Sequence, residues 1–248
     1  MRTIAFIAVT ITAILLFRGM SDLPAYGDPD APVNAGPLRT HYVNEIETET
    51  NVPNLVTAVL ADYRAYDTMF ETVVIFTAGI AIIAILKGLT PLNRPGRPKS
   101  EPDDLIIQTT CRLLIPVIQI YALYVLIHGH HSPGGGFQGG VIMGASFILY
   151  ALAYNLPSAL ERFSRKSFLI CATVGVSIFA GFGVVAMLLK GEFLDYSALH
   201  QLGLGKTEIY ARYHSMLGVE VGVFMTCTAI MFAIYSYLST RGALKEGL

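Results

Sequence analysis

The chain has 248 residues and balances 17 Lys and Arg against 18 Asp and Glu, a formal net charge of -1. Apolar residues make up 53% of it and charged residues 14%, against roughly 25% charged in an ordinary soluble domain, and the mean hydropathy is +0.55. These values exclude disorder, a coiled coil and a surface wetted all round; they leave no basic field for nucleic acid and imply apolar segments gathered against lipid.

The first apolar run, Thr3 to Phe17, lies between Arg2 and Arg18. No A-x-A cleavage pattern follows, so it reads as an uncleaved helix whose flanking arginines snorkel to the interfaces. Gly19 to Val52 is Pro/Gly-rich and acidic, with Glu45, Glu47 and Glu49 alternating with other residues, and reads as a solvated outer loop without a strong period. Leu55, Val56, Val59, Leu60 and Tyr63 recur at helical spacing, predicting an amphipathic turn or two that leads into a second span, Thr68 to Leu86.

Leu89 to Asp104 holds Pro91, Pro95, Pro98 and Pro102 among charges and cannot continue a helix, so a polar linker is expected there. Further spans are expected at Leu105 to Ile127, Gly139 to Tyr154, Phe168 to Leu189 and Ser215 to Tyr237, with a glycine-rich loop before the fourth. The expected fold class is therefore an all-α integral membrane protein of six transmembrane helices. Ten Lys and Arg fall on the side of the N-terminus and five on the other, so the positive-inside rule places both termini in the cytoplasm. No internal repeat aligns the part before the linker with the part after it.

Cys111, Cys171 and Cys227 stand far apart inside apolar runs without C-x-x-C or C-x-x-H spacing. An iron-sulfur cluster, zinc site or disulfide framework within the chain is not expected, and no cofactor is. The segment from His128 to Gly140 reads His-Gly-His-His-Ser-Pro-Gly-Gly-Gly-Phe-Gln-Gly-Gly. Gly134, Gly136 and Gly139 formally satisfy G-x-G-x-x-G, but no strand precedes them, so that fingerprint has no structural basis here. Irregular backbone at membrane depth must instead be covered by protein, since each bare N-H or C=O there costs several kcal/mol.

Pro133, Gly134, Gly135, Gly136 and Phe137 form the core of this loop. Gly136, Gly140 and Gly144 carry a four-residue spacing onto the fourth helix, and Gly218 with Gly222 repeats it on the sixth. Such small-residue faces admit close helix approach, whether to each other or to a partner subunit. His128, His130 and His131 lack a fourth ligand and fixed geometry for a metal, which leaves a capped helix end or proton handling near neutrality.

Charge inside a span is costly and usually faces protein or water. Glu220, beside Gly218 and Gly222 in the sixth span, is the leading candidate to bind and release an ion, against a structural, hydrogen-bonded carboxyl. Asp67 and Glu71 share a helix face near the outer end of the second span; they form either a cation-collecting mouth or, with Arg64, an anchoring ion pair. Arg112 in the third span is expected to pair or snorkel, Pro116 to kink that helix, and Tyr121 and Tyr124 to pack.

The run Leu113 to Pro116, followed by Tyr121-Ala-Leu-Tyr-Val-Leu-Ile-His-Gly-His-His-Ser-Pro-Gly-Gly-Gly-Phe-Gln-Gly-Gly-Val-Ile, resembles the signature of the B-type component of the Mrp/Mnh multisubunit cation/proton antiporters. The same module occurs in membrane-bound hydrogenase-type complexes. The likeness runs over about Asp103 to Leu238, with His131 where the family favours asparagine. Asn51 to Glu71 is similar to the E-like region that ends the A-type component of the antiporters, with Phe70 in place of an expected glycine.

The resemblance implies an E-like membrane segment over 1–88 with two helices and the acidic outer loop, a linker over 89–104, and an MnhB-like four-helix domain over 105–248. It implies a non-enzymatic subunit in a prokaryotic plasma membrane, acting with other membrane subunits in Na+/H+ exchange and lining or sealing an ion path. Glu220, Asp67 and Glu71 are the carboxylates on which that reading rests. A pure scaffold, or a member of a redox-driven ion pump, are the alternatives.

Overall fold

The computed structural model describes residues 2–87, 105–240 and 242. In chain order it has α1 (Arg2–Met20), α2 (Pro32–Ala35), α3 (Pro37–Asn44), α4 (Ile46–Thr50), α5 (Leu55–Ala58) and a π-helical turn at Val59–Tyr63. There follow α6 (Ala65–Lys87), α7 (Leu105–His128), α8 (Gly136–Tyr154), α9 (Leu156–Arg162), α10 (Arg165–Leu188), a 3₁₀ helix at Tyr196–Leu202 and α11 (Glu208–Thr240). No strand occurs among the described residues. Six helices (α1, α6, α7, α8, α10 and α11) are long and apolar enough to cross a membrane, as the hydropathy pattern requires. The expected linker, 89–104, lies outside the described residues.

The chain falls into two compact units, Met1–Glu45 and Ile46–Leu248. In the first, none of the most apolar stretch of α1 is buried, and Thr10 and Thr12 turn their hydroxyls back onto the Phe6 and Ala8 carbonyls, which hides the polar atoms of an otherwise apolar rod. Its remainder is less featureless than the composition implies. Pro32 and Pro37 open α2 and α3, because the fixed proline φ suits a first helical turn and the missing N-H is not needed there.

In the second unit α11 is the axis. Buried residues make up 61% of its most apolar stretch, against 17–33% for α6, α7, α8 and α10, so the other helices pack around it and leave their own outer faces bare. Phe147 of α8, Phe163, Phe168 of α10 and Phe232 of α11 interlock at the α9 end, with ring centroids 4.9–6.2 Å apart. Tyr237 is fully buried beside them.

Four helices begin three or more residues earlier than the apolar runs suggest, α6 at Ala65 and α10 at Arg165 among them. α8 starts at Gly136 rather than Gly139, and α11 at Glu208 rather than Ser215. Hydropathy registers only the lipid-like part of a helix, whereas the first turns of α11 carry Arg212, Tyr213 and His214, which find partners inside the protein.

The glycine spacing resolves into two different contacts. A Cβ on Gly140 would stand 2.8 Å from Phe224 O and from Cys227 Cβ, and one on Gly144 would stand 2.9 Å from Met231 Cβ, so these glycines seat α8 against α11. A Cβ on Gly222 would stand 2.6 Å from Gly175 O and one on Gly218 would overlap the Phe182 ring, so the other pair seats α11 against α10. Both contacts lie within the chain.

Candidate functional site

The site is built where α7 stops. After His128 the chain turns through residues 129–135, with the His131 and Ser132 N-H groups donating to His128 O at 2.9 and 3.0 Å and the Gly135 N-H donating to Val125 O at 3.1 Å. Gly135 has φ +132°, open to glycine and strained for other residues. A Cβ on Gly136 would overlap the Glu220 carbonyl, so the start of α8 can lie against α11 only without a side chain.

The carbonyls of this irregular stretch are covered from α5. Asn54 Nδ2 donates to Gly129 O at 2.8 Å and to Ser132 O at 2.9 Å, the Asn54 N-H donates to His130 O at 3.0 Å, and the Thr57 hydroxyl donates to Gly129 O at 2.6 Å. The Asn54 Oδ1 meanwhile accepts from Val56 N-H at 3.1 Å and caps α5. One asparagine thus starts a helix and closes the loop that needs cover at this depth. Sequence reading missed Asn54 and Thr57: an asparagine ahead of a helical run is a signal for a cap, but its second use joins residues 75 positions apart.

Glu220 lies against this loop. The residue is 9% exposed, and ideal Cβ positions on Gly129 and Gly135 would each fall 3.1 Å from its carboxylate oxygens. Oε2 is buried and has no hydrogen-bond partner, and Glu220 forms no ion pair with a described residue. The carboxylate opens onto a cavity of about 170 Å³ whose walls include Thr57, Leu60, Thr68, Glu71 and Gln138. Glu71 is exposed at its rim. Two of the three expected carboxylates therefore share one cavity.

Asp67 is not with them. It pairs with Arg64 on the surface, the two side chains being 54% and 62% exposed, and a pair so wetted anchors little. Of the residues named for these two readings, Arg64 and Asp67 form the ion pair, and Glu71 lies apart from it on the cavity that Glu220 lines.

The three loop histidines differ in surroundings. His128 is half-buried and stacks on Tyr124, centroids 4.2 Å apart, while Tyr121 stacks on Tyr124 at 6.2 Å. His131 is exposed, with its Nε2 3.5 Å from the Tyr213 hydroxyl. His130 is buried edge-on to Tyr213 at 4.5 Å, and its Nε2 has no partner. Burial first, then the neighbouring His131 and His214, push its pKa down to about 4, so the ring is neutral near pH 7.

A second buried carboxylate, which sequence reading passed over, stands on the π-helical turn. Asp62, 9% exposed, accepts from Arg212 Nε at 2.7 Å, and Arg212 Nη1 also donates to Glu49 O at 3.2 Å. Tyr63 donates its hydroxyl to Glu49 and lies under the Arg212 guanidinium, 5.3 Å from its ring centroid. Burial raises the Asp62 pKa and Arg212 opposes that rise. Glu49 belongs to the acidic run expected to be solvated; here it is half-buried and bonded.

Arg112 forms no ion pair with a described residue. It lines a separate cavity of about 660 Å³ between α7 and α8.

Residues 106–233 match the family described as a domain related to the MnhB subunit of Na+/H+ antiporter. The B-type component of the Na+/H+ antiporter of Bacillus subtilis (strain 168) is 34% identical over 133 residues, which cover 52% of this chain and 92% of that protein. An uncharacterized protein of Methanocaldococcus jannaschii is 30% identical over 170 residues, 62% of this chain and 61% of that one. Among solved structures, a chain of the Mrp complex from Dietzia sp. DQ12-45-1b superposes with a TM-score of 0.69 and 25% identity over 100% of this chain, which spans 27% of that chain. A chain of the membrane-bound sulfane sulfur reductase, an archaeal respiratory membrane complex, has a TM-score of 0.63 and 24% identity, covering 93% of this chain and 97% of that one.

Proposed function

Since the chain belongs to the family of domains related to the MnhB subunit of Na+/H+ antiporters, we propose that it serves as the B-type membrane component of a multisubunit antiporter and that the cavity between Glu71 and Glu220 is part of its cation path. The chain is a multi-pass membrane protein of the prokaryotic plasma membrane, a transporter-complex subunit rather than an enzyme, and its relatives act with other membrane subunits.

One observation carries the finer reading: Glu220 is a buried carboxylate with an unpartnered oxygen, facing a cavity whose rim holds a second carboxylate. A purely structural acid at this depth is expected to have a cation or donors on both oxygens. An acid that exchanges Na+ for H+ must keep an oxygen free for the incoming ion. Hard monovalent cations take oxygen ligands, and the Thr57, Thr68 and Gln138 side chains that line the same cavity are of that kind.

The remaining assignments follow from this reading. The loop from Pro133 to Phe137 holds the wall of the cavity, and Gly140, Gly144, Gly218 and Gly222 fix α11 so that Glu220 stays aimed into it. His128, His130 and His131 stand at the same loop, where His131, exposed and near Tyr213, is the one suited to pass protons. Residues 1–88 form the E-like piece and 105–248 the MnhB-like piece, joined by 89–104 with both termini cytoplasmic.

Replacing Glu220 by glutamine tests the path. In everted vesicles carrying the assembled complex, E220Q should lower Na+/H+ exchange by about tenfold or more, the loss that corresponds to about 1.4 kcal/mol of ion stabilisation. Exchange at the original rate with normal assembly would take Glu220 off the path. The fold shared with a respiratory-complex chain fits a redox-driven assembly as well. Iron-sulfur absorbance in the purified complex separates the two.

A further inference from the structure

The larger cavity, about 660 Å³ between α7 and α8, is remote in character from the carboxylate site. Its lining combines two guanidinium groups, Arg112 and Arg162, with Tyr150, Tyr154, Ile115 and Phe147. Arg162 ends α9 and lies over the Tyr150 ring, 4.8 Å from its centroid; Tyr150 packs on Tyr154 at 4.7 Å, and Tyr154 donates its hydroxyl to Gln108 O at 2.9 Å. Arg112 stands about 10 Å along α7 from its first described residue, Leu105, at the rise of a helix. Both arginines face the cavity with no carboxylate from the described residues to pair with.

We propose that this cavity binds the phosphate headgroup of an anionic phospholipid. A guanidinium about two turns inside an apolar helix pairs or snorkels; Arg112 is exposed on the cavity, and the chain's described residues supply no carboxylate for it. The space is far larger than one carboxylate side chain needs, and its walls divide by chemistry. The guanidinium forks match phosphate oxygens two at a time, while Ile115 and Phe147 present an apolar surface suited to acyl chains. Basic pockets between helices at the cytoplasmic side are the usual recognition form for such headgroups. The α9 end is cytoplasmic in the orientation proposed above, the side on which anionic lipids attract arginine. Tyr150 and Tyr154 then sit where interfacial aromatics are common.

The test uses the purified, assembled complex and native mass spectrometry with cardiolipin, phosphatidylglycerol and phosphatidylcholine supplied in turn. Cardiolipin or phosphatidylglycerol should be retained in preference to phosphatidylcholine, and R112Q/R162Q should weaken retention roughly 25-fold, the effect of two arginines at about fivefold each. R112K/R162K keeps both charges without the forks and should bind the anionic lipids more weakly than the unaltered complex but more tightly than R112Q/R162Q, which separates lost binding from lost assembly if the glutamine variant does not assemble. Competition by inorganic phosphate alone at similar concentration would make the ligand a soluble anion and overturn the lipid assignment. Equal retention by R112Q/R162Q, or a cross-link from Arg112 to a carboxylate of a neighbouring protein in the complex, would overturn the site itself.

Discussion

Asp62, held against α11 by Arg212, and Glu220, about two turns further along α11, are both buried carboxylates, and they are treated in opposite ways. Asp62 receives a charge-assisted bond from Arg212 at 2.7 Å, and that arginine is itself fixed by the Glu49 carbonyl and the Tyr63 ring. Glu220 has an unpartnered oxygen, a glycine loop at contact distance and open space beside it. A complete pair welds the π-helical turn to α11, whereas on the proposed reading the incomplete one leaves room for an exchangeable ion. Sequence singles out Glu220 and passes over Asp62; the fold gives Asp62 its cation and leaves Glu220 an unpartnered oxygen beside open space.

The largest way to sharpen that contrast is at the cavity. E71Q should lower exchange by less than E220Q, because Glu71 stands exposed at the rim where water can replace it, and measuring both initial rates against Na+ concentration checks the order. Next comes the joint. R212A leaves Asp62 buried without its cation and should destabilise the assembled complex by about 3 kcal/mol, read in thermal melts, while D62N/R212Q, which removes both charges, should recover most of the loss and keep exchange. A transport defect in D62N/R212Q with normal stability would erase the distinction between the two acids.

A smaller effect belongs to the loop that touches Glu220. N54A removes the side-chain donor from the Ser132 carbonyl, leaves Gly129 O to Thr57 alone, and should cost about 1–3 kcal/mol, with faster hydrogen exchange at residues 129–135 as the local sign. The smallest is a pH effect. The His130 pKa falls from an ordinary 6.5 to about 4 on folding, so between those values the unfolded chain binds more protons and stability declines as pH falls through that window. H130F should flatten the decline between about pH 6.5 and about pH 4 without altering stability at neutrality to the same extent.

The spans were legible because a lipid-facing helix has to be apolar along its length, and α7 matches its expected limits to within one residue. Glu220 was legible as a charge among helix-packing glycines, and Glu71 as one face of α6. Asp62 was not, since its meaning comes from Arg212, 150 positions away, and neither residue interrupts an apolar run. Asn54 was hidden for a related reason. A helix cap accepts with its oxygen, and nothing local says where the amide's hydrogens will go. The arrangement of glycines shows the same limit: four-residue spacing announces that a helix will approach, and only the fold says that α8 receives α11 while α11 presents Gly218 and Gly222 to α10.

The central claim is that Glu220 has room and reason to hold an exchangeable cation. Carbodiimides attack protonated carboxyls, and a hydrophobic one such as dicyclohexylcarbodiimide reaches those in apolar surroundings. Treating the assembled complex in membranes with this reagent, with and without Na+, and locating the adduct by peptide mass spectrometry puts the claim to the test. The account predicts modification at Glu220 that Na+ slows in step with its inhibition of exchange, and little at Asp62. Modification of Glu220 at a rate indifferent to Na+, or preferential modification of Asp62, would contradict it.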